Sequence, residues 1–142
     1  MKKYGTLEKI EKIYFENEEI SNFKNLIGKT LIKIVKVMNA ENENDGLLFI
    51  TSENEKYILI HFQDCCEDVY LESITGDIKD VLNFPVIKAD VIENSADADY
   101  GSVTYSFYEI ATMKGTITIR FNGYSNGFYS ESVGFYKIRG EE

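Results

Sequence analysis

Tryptophan is absent from this 142-residue chain, proline and histidine occur once each, and cysteine only twice. A lone proline, Pro85, excludes a proline-rich linker or recognition tract. Two cysteines, adjacent at positions 65 and 66, are too few for the disulfide framework of a small secreted domain. With His61 they supply three metal ligands, one short of the usual structural zinc set, so no metal and no cofactor is expected. Long apolar runs are also missing. The N-terminal stretch MKKYGTLEKIEKIYFENEEI is interrupted by charge throughout, which argues against a secretory leader or a membrane anchor. Cations are scarce: 15 Lys and Arg against 24 Asp and Glu leave a net charge of −9. Phosphate backbones and anionic membrane surfaces are held by Lys and Arg, so neither a nucleic acid polymer nor a membrane is an expected partner. These absences together suit a cytoplasmic setting.

What the chain does have is aromatic residues, crowded into its last third: Tyr100, Tyr105, Phe107, Tyr108, Phe121, Tyr124, Phe128, Tyr129, Phe135 and Tyr136. The length suits one domain, 1–142, with a core of its own. Leu7, Ile10, Ile13 and Tyr14 fall at helical spacing behind Thr6, which predicts a helix over residues 6–15 and a helical extension over 1–21. A second short helix is predicted over 21–27, closed by Gly28, and a third over 78–83, capped by Asp77. Between them the period is two. Strands are predicted at 30–37, 47–52, 56–62, 69–74 and 85–92. A final three-stranded meander covers 102–113, 116–121 and 128–138. The polar runs 39–46 and 93–101 read as loops. The predicted class is α+β: a mostly antiparallel sheet with two or three short helices, its core spanning 22–138.

The stretch IHFQDCCEDVY, residues 60–70, holds the only histidine and both cysteines. A bridge between neighbouring cysteines is disfavoured, because adjacent Cα atoms lie about 3.8 Å apart and disulfides usually need at least about 4.4 Å. In an extended backbone the two side chains would also point to opposite faces. One cysteine in the core and one near the surface is the expected outcome. A thiol nucleophile with His61 as its base requires a sharp reversal, since four extended residues separate His61 from Cys65 by roughly 13 Å. The sequence does not demand that reversal.

The second candidate region is TITIRFNGYSNGFYSESVGFY, residues 116–136. Alternation places Ile117, Ile119 and Phe121 on one face of a strand and Thr118, Arg120 and Asn122 on the other. Arg120, Tyr124, Ser125, Asn126, Tyr129, Ser130 and Glu131 then gather around one hairpin end. Tyrosines offer stacking faces, Asn, Ser and Glu offer hydrogen bonds, and Arg offers a fork for an anion. The same composition also describes an ordinary polar turn.

Three blocks carry a resemblance: FKNLIGKTL near the start, HFQDCCEDVYLESITGDIKDVLNFPV in the middle, and SFYEIATMKGTITIRFNGYSNGFYSESVGFY at the end. Over residues 22–136 the chain resembles a family of small phage and prophage proteins of unknown function. Its specific blocks are QDCCE at 63–67 and SNGFYSE at 125–131. Members of that family more often carry two tyrosines where this chain has Phe128 and Tyr129. The resemblance implies a phage-related, host-cytoplasmic setting and brings no catalytic residues. By analogy with other small phage proteins it implies a role against host defence.

The reading that follows is a non-enzymatic, homo-oligomeric protein that sequesters a small polar, nucleotide-derived signalling ligand. Arg120 would take an anionic group, Tyr124 and Tyr129 would stack, and Ser125, Asn126, Ser130 and Glu131 would hydrogen-bond. Residues 64–67, Asp64, Cys65, Cys66 and Glu67, would form the facing wall, with His61 also among the ligand-binding residues. The alternatives are a protein–protein inhibitor of a host factor and, behind it, a small hydrolase using His61 with Cys65 or Cys66.

Overall fold

β-Branched alternation builds most of the molecule. The computed structural model describes residues 10–15 and 18–139. Its strands are β1 (Ile10–Ile13), β2 (Glu18–Ile20), β3 (Leu31–Asn39), β4 (Asp45–Thr51), β5 (Lys56–Ile60), β6 (Asp68–Thr75), β7 (Lys88–Ala98), β8 (Gly101–Thr112), β9 (Gly115–Ser125) and β10 (Gly134–Ile138). They form a six-stranded sheet in the order β1-β3-β4-β5-β10-β2 and a four-stranded sheet in the order β6-β9-β8-β7. Neighbours are antiparallel except β1, which runs parallel to β3.

The α+β class is therefore corrected to an all-β fold of two sheets. Among the described residues no helix reaches seven residues. Of the predicted helix over 6–15, residues 6–9 lie outside the described residues, and Ile10–Ile13 is strand, with Ile10 opposite Lys36 and Ile13 opposite Asn39. Four apolar positions fit either period over so short a stretch, and pairing along a sheet edge decides it. The helices predicted at 21–27 and 78–83 shrink to single 3-10 turns, Phe23–Leu26 and Ile78–Val81. Asn22 and Asp77 do cap them, accepting from the backbone N–H of Lys24 and Lys79. Each turn buries two apolar side chains, Phe23 and Leu26 or Ile78 and Val81, in the core between the sheets. Left-handed residues at Gly28 and Asn83 then end them.

One core lies between the sheets. Leu31, Ile34, Leu47, Phe49, Tyr57, Leu59 and Phe135 face Val69, Leu71, Ile74, Tyr108, Ile110, Ile117, Ile119 and Phe121 across it. Tyr57 and Phe135 stack at 5.3 Å, and Phe23 meets Tyr108 and Phe135 edge-on at 5.2 Å each. The six-stranded sheet is apolar on its other face as well, where Val35, Val37, Leu48, Ile58 and Ile60 are buried.

Two further predictions change. The loop expected at 93–101 is strand, because β7 pairs with β8 without interruption from Lys88 opposite Ala111 to Ala98 opposite Gly101. Residues 91–98 are all exposed, so no burial pattern marks them as strand. The three-stranded meander is broken after its second strand. β9 runs on to Ser125, and β10 crosses to the other sheet to pair with β5 and β2. Among the described residues no helix is long and apolar enough to cross a membrane.

Candidate functional site

Two loops meet at one end of the sandwich. The first joins β5 to β6 and carries QDCCE. The second joins β9 to β10 and carries SNGFYSE. Asp68 lies opposite Tyr124 in the β6–β9 ladder, which brings the two loops side by side. A cleft of about 270 Å³ opens between them, lined by Cys66, Asp68, Tyr100, Tyr124, Ser125, Asn126 and Tyr129.

The first loop is built around a buried carboxylate. Glu67 Oε2 accepts from the backbone N–H of Asp64 at 2.7 Å and lies 2.7 Å from His61 Nε2, while Oε1 accepts from the Cys65 N–H at 2.8 Å. Gln63 donates to the carbonyls of Cys65 and Glu67, at 3.1 and 2.6 Å, and Asn44 donates to Gln63 Oε1 and the His61 carbonyl. Burial alone would raise the Glu67 carboxyl. The Cys65 and Asp64 amides, His61 and its own amide overcome that and bring it down to about 2. His61 Nδ1 lies 2.5 Å from the Ser132 carbonyl, which can only accept. The ring is thus held from both sides, by a carbonyl at Nδ1 and by an ionised carboxylate at Nε2. His61 and Glu67 form a buried hydrogen-bonded pair, both side chains at most 4% exposed.

This reversal brings His61 to Glu67 and not to a thiol. The cysteines are bonded to each other, and both residues are exposed. That corrects the prediction of free cysteines with one packed inward. The prediction assumed extended backbone. The Asp64 and Cys65 amides converge on Glu67, so the chain bends there and neighbouring side chains no longer point to opposite faces.

The second loop is pinned by another glutamate. Glu131 is buried and accepts from Ser102 Oγ at 2.5 Å and Thr104 Oγ1 at 2.7 Å. Burial opposes ionisation, and the hydroxyls of Ser102, Ser125 and Thr104 outweigh it, holding the carboxyl below its usual range. Gly123 makes this crossing possible: a Cβ there would stand 2.8 Å from Glu131 Cβ and 3.1 Å from its carbonyl. Three side chains then shape the tip. Ser125 Oγ accepts from the Gly127 N–H, Asn126 Oδ1 from the Phe128 N–H and Ser130 Oγ from the Ser132 N–H, at 2.9–3.1 Å.

Of the residues expected to bind ligand, Tyr124, Ser125, Asn126 and Tyr129 line the cleft. His61, Glu67 and Glu131 lie buried beneath it as anchors, and Asp64, Cys65 and Ser130 sit in the loops without lining it. Arg120 lies further down β9, on the outer face of its sheet. Its guanidinium stands 4.9 Å from the Tyr105 ring centroid and 5.5 Å from that of Phe107, and its Nε donates to Asn122 Oδ1. Tyr70 and Tyr124 stack at 6.3 Å on the same face. Burial first, then the hydroxyls of Tyr70 and Tyr105, push the Tyr124 phenol up to about 12.

Two lining residues were missed, Tyr100 and Asp68. Tyr100 belongs to the tight β7–β8 turn that the sequence presents as a long loop. Asp68 reaches the cleft through pairing between β6 and β9, some fifty residues apart, which no local pattern displays, while Cys66 is the one residue of the wall expected at 64–67 that lines it. Among the described residues no three or more His, Cys, Asp or Glu side chains are grouped to hold a metal.

A two-sheet β fold with a tyrosine-rich cleft between two loops defines the class of protein. Within it, the chain belongs to the family described as "Domain of unknown function (DUF7448)", whose model matches residues 24–135 and so takes in both loops. No curated protein and no solved structure matches the chain.

Proposed function

We propose that this chain is a non-enzymatic binding protein that captures a small, flat, polar ligand of nucleoside or nucleotide type between its two loops. The observation that carries the reading is the cleft itself. It offers three tyrosine faces, Tyr100, Tyr124 and Tyr129, beside the polar groups of Asp68, Ser125 and Asn126. Aromatic faces and a few fixed polar groups suit a heterocycle. The lining contains a carboxylate and no cation, so a phosphate would project out of the cleft. Arg120 lies on the outer face, four residues along β9 from Tyr124 and hence about 13 Å away, where it would meet such a group. His61 is committed to Glu67 and Ser132, and the cysteine sulfurs to each other, which weighs against a hydrolase. In a phage-encoded setting in the host cytoplasm, such a protein would sequester a signalling nucleotide and blunt a host defence. Two copies meeting at these loop ends would enclose the ligand more fully.

Calorimetry against nucleosides, cyclic dinucleotides and ADP-ribose derivatives tests this. Saturable binding that Tyr129→Ala removes, with the ligand recovered unchanged by chromatography, is expected. No binding of any of them to folded protein overturns it. Phe128, 82% exposed at the loop tip, favours a second reading as a protein-binding inhibitor. A stoichiometric host protein captured by wild type and lost in Phe128→Ser would establish that alternative.

A further inference from the structure

The bond between Cys65 and Cys66 has no evident task in holding the fold. The chain entropy that a cross-link removes grows with the loop it closes, and between adjacent residues that loop is as short as it can be. The segment is already fastened without it. The Asp64 and Cys65 amides are bound by Glu67, the Cys65 and Glu67 carbonyls by Gln63, and Gln63 by Asn44. Both cysteines are nevertheless exposed, and Cys66 lines the cleft beside Asp68, Tyr124 and Tyr129. A bond that is solvent-exposed and adds little to the fold, set in a binding wall, is placed for exchange chemistry.

We propose that Cys65–Cys66 is a reversible thiol–disulfide exchange site whose partner is a dithiol, and that its state changes the wall of the cleft. In the forward direction a thiolate of the dithiol attacks one sulfur. The S–S bond breaks, a mixed disulfide forms, and the released cysteine thiolate takes a proton from water. The second thiol of the partner, as its thiolate, then attacks the mixed disulfide, frees the other cysteine, and leaves as a cyclic disulfide. Two electrons and two protons pass from the partner to the pair. Reduction removes the covalent link between neighbouring side chains, so Cys66 gains rotational freedom toward Tyr124 and Tyr129, while Glu67 and Gln63 keep the base of the loop in place.

The surroundings select the partner. Asp64, Glu67 and Asp68 flank the pair within three residues, and the chain carries −9 overall. An anionic thiol such as glutathione is repelled, and a dithiol that is neutral in its thiol form is not. This inference concerns the cleft wall and stands whether or not the ligand is a nucleotide.

The full-length protein tests it by mass spectrometry after alkylation, with Tyr124 and Tyr129 ring signals followed by NMR. Dithiothreitol is expected to give two alkylated cysteines per chain with unchanged circular dichroism, and oxidised dithiothreitol to restore the bond. Glutathione at equal thiolate concentration should react at least several-fold more slowly, with the gap narrowing in 0.5 M salt. The ring signals should shift on reduction in wild type and stay still in Cys65→Ser/Cys66→Ser under the same treatment. Should that double variant not fold, wild type cycled between its two states supplies the same comparison. Resistance of the folded protein to dithiothreitol, unfolding on reduction, free thiols that oxidised dithiothreitol cannot join, or tyrosine signals indifferent to the bond would each overturn the proposal. Failure of every nucleotide to bind would overturn the proposed ligand and leave these readouts intact.

Discussion

Glu67 and Glu131 occupy matching places in the two loops that frame the cleft. Each closes a largely polar run, each is buried, and each is held ionised by hydrogen bonds that outweigh its loss of hydration. They differ in their donors. Glu67 faces the His61 ring and two backbone amides within its own loop, whereas Glu131 faces the hydroxyls of Ser102 and Thr104 on β8. The first loop is therefore tied internally, around an ionised carboxylate. The second is bound to the sheet beneath it by neutral groups. In both, a glutamate expected to contact ligand instead holds its loop in place beside the cleft.

The largest expected effect breaks the ionic anchor. Glu67→Gln removes a buried negative charge, keeps an oxygen for only one of the Asp64 and Cys65 amides and turns an N–H group toward the other donors, which should cost about 3–5 kcal/mol in urea denaturation. Glu131→Gln keeps an oxygen for one hydroxyl and offers N–H groups to the others, so about 1–3 kcal/mol is expected. Equal losses would show that the two anchors do not differ as their donors imply.

Acid titration separates them by a second route. The Glu67 carboxyl is depressed in the folded state, to about 2 from an ordinary 4.5. Its contribution is therefore complete above about pH 4.5 and is lost as pH falls toward 2. That interval corresponds to roughly 3 kcal/mol at 1.36 kcal/mol per pKa unit. Stability measured against pH should fall across this window in wild type and fall less steeply in Glu67→Gln. An unchanged slope in the variant would mean that other carboxylates dominate the acid limb.

Gly123→Ala probes the neutral anchor from below. The added methyl meets Glu131 Cβ at 2.8 Å and Val69 Cγ2 at 3.3 Å, so the second loop has to lift. About 1–3 kcal/mol of destabilisation is expected, without any change in the acid slope assigned to Glu67.

Much of the β architecture was legible because its strands alternate. Ile117, Ile119 and Phe121 turn inward as their spacing requires, whereas β4 and β5 are buried on both faces. β3 shifts register between Leu31 and Lys33, which puts Leu31 and Ile34 in one core and Val35 and Val37 in the other. The misread elements share a different cause. β7 exposes every residue from 91 to 98, so nothing periodic distinguishes it from a loop. The 3-10 turns at Phe23–Leu26 and Ile78–Val81 bear real caps, which local chemistry displays, but their length is set by the core they plug. The cysteine bridge depends on where two amides point, which is fixed by Glu67. Likewise, residue type marked Tyr124 and Tyr129 as candidates, yet only strand pairing across fifty residues could add Asp68.

The smallest effect on stability is expected at the rim of the cleft, and it carries the functional comparison. Tyr100 is 94% exposed in the β7–β8 turn, so Tyr100→Ala should change stability by no more than about 0.5 kcal/mol. If the cleft takes a heterocycle, the same substitution removes one stacking face and should weaken binding by about 1–3 kcal/mol. Glu131→Gln reverses that ratio, with a larger loss of stability and an indirect effect on affinity that grows only as the second loop loosens. Measuring both quantities in both variants therefore distinguishes a residue that touches ligand from one that positions the residues that do. A Tyr100→Ala protein as stable as wild type and equally able to bind would remove the β7–β8 turn from the site and leave the two loops alone to form it.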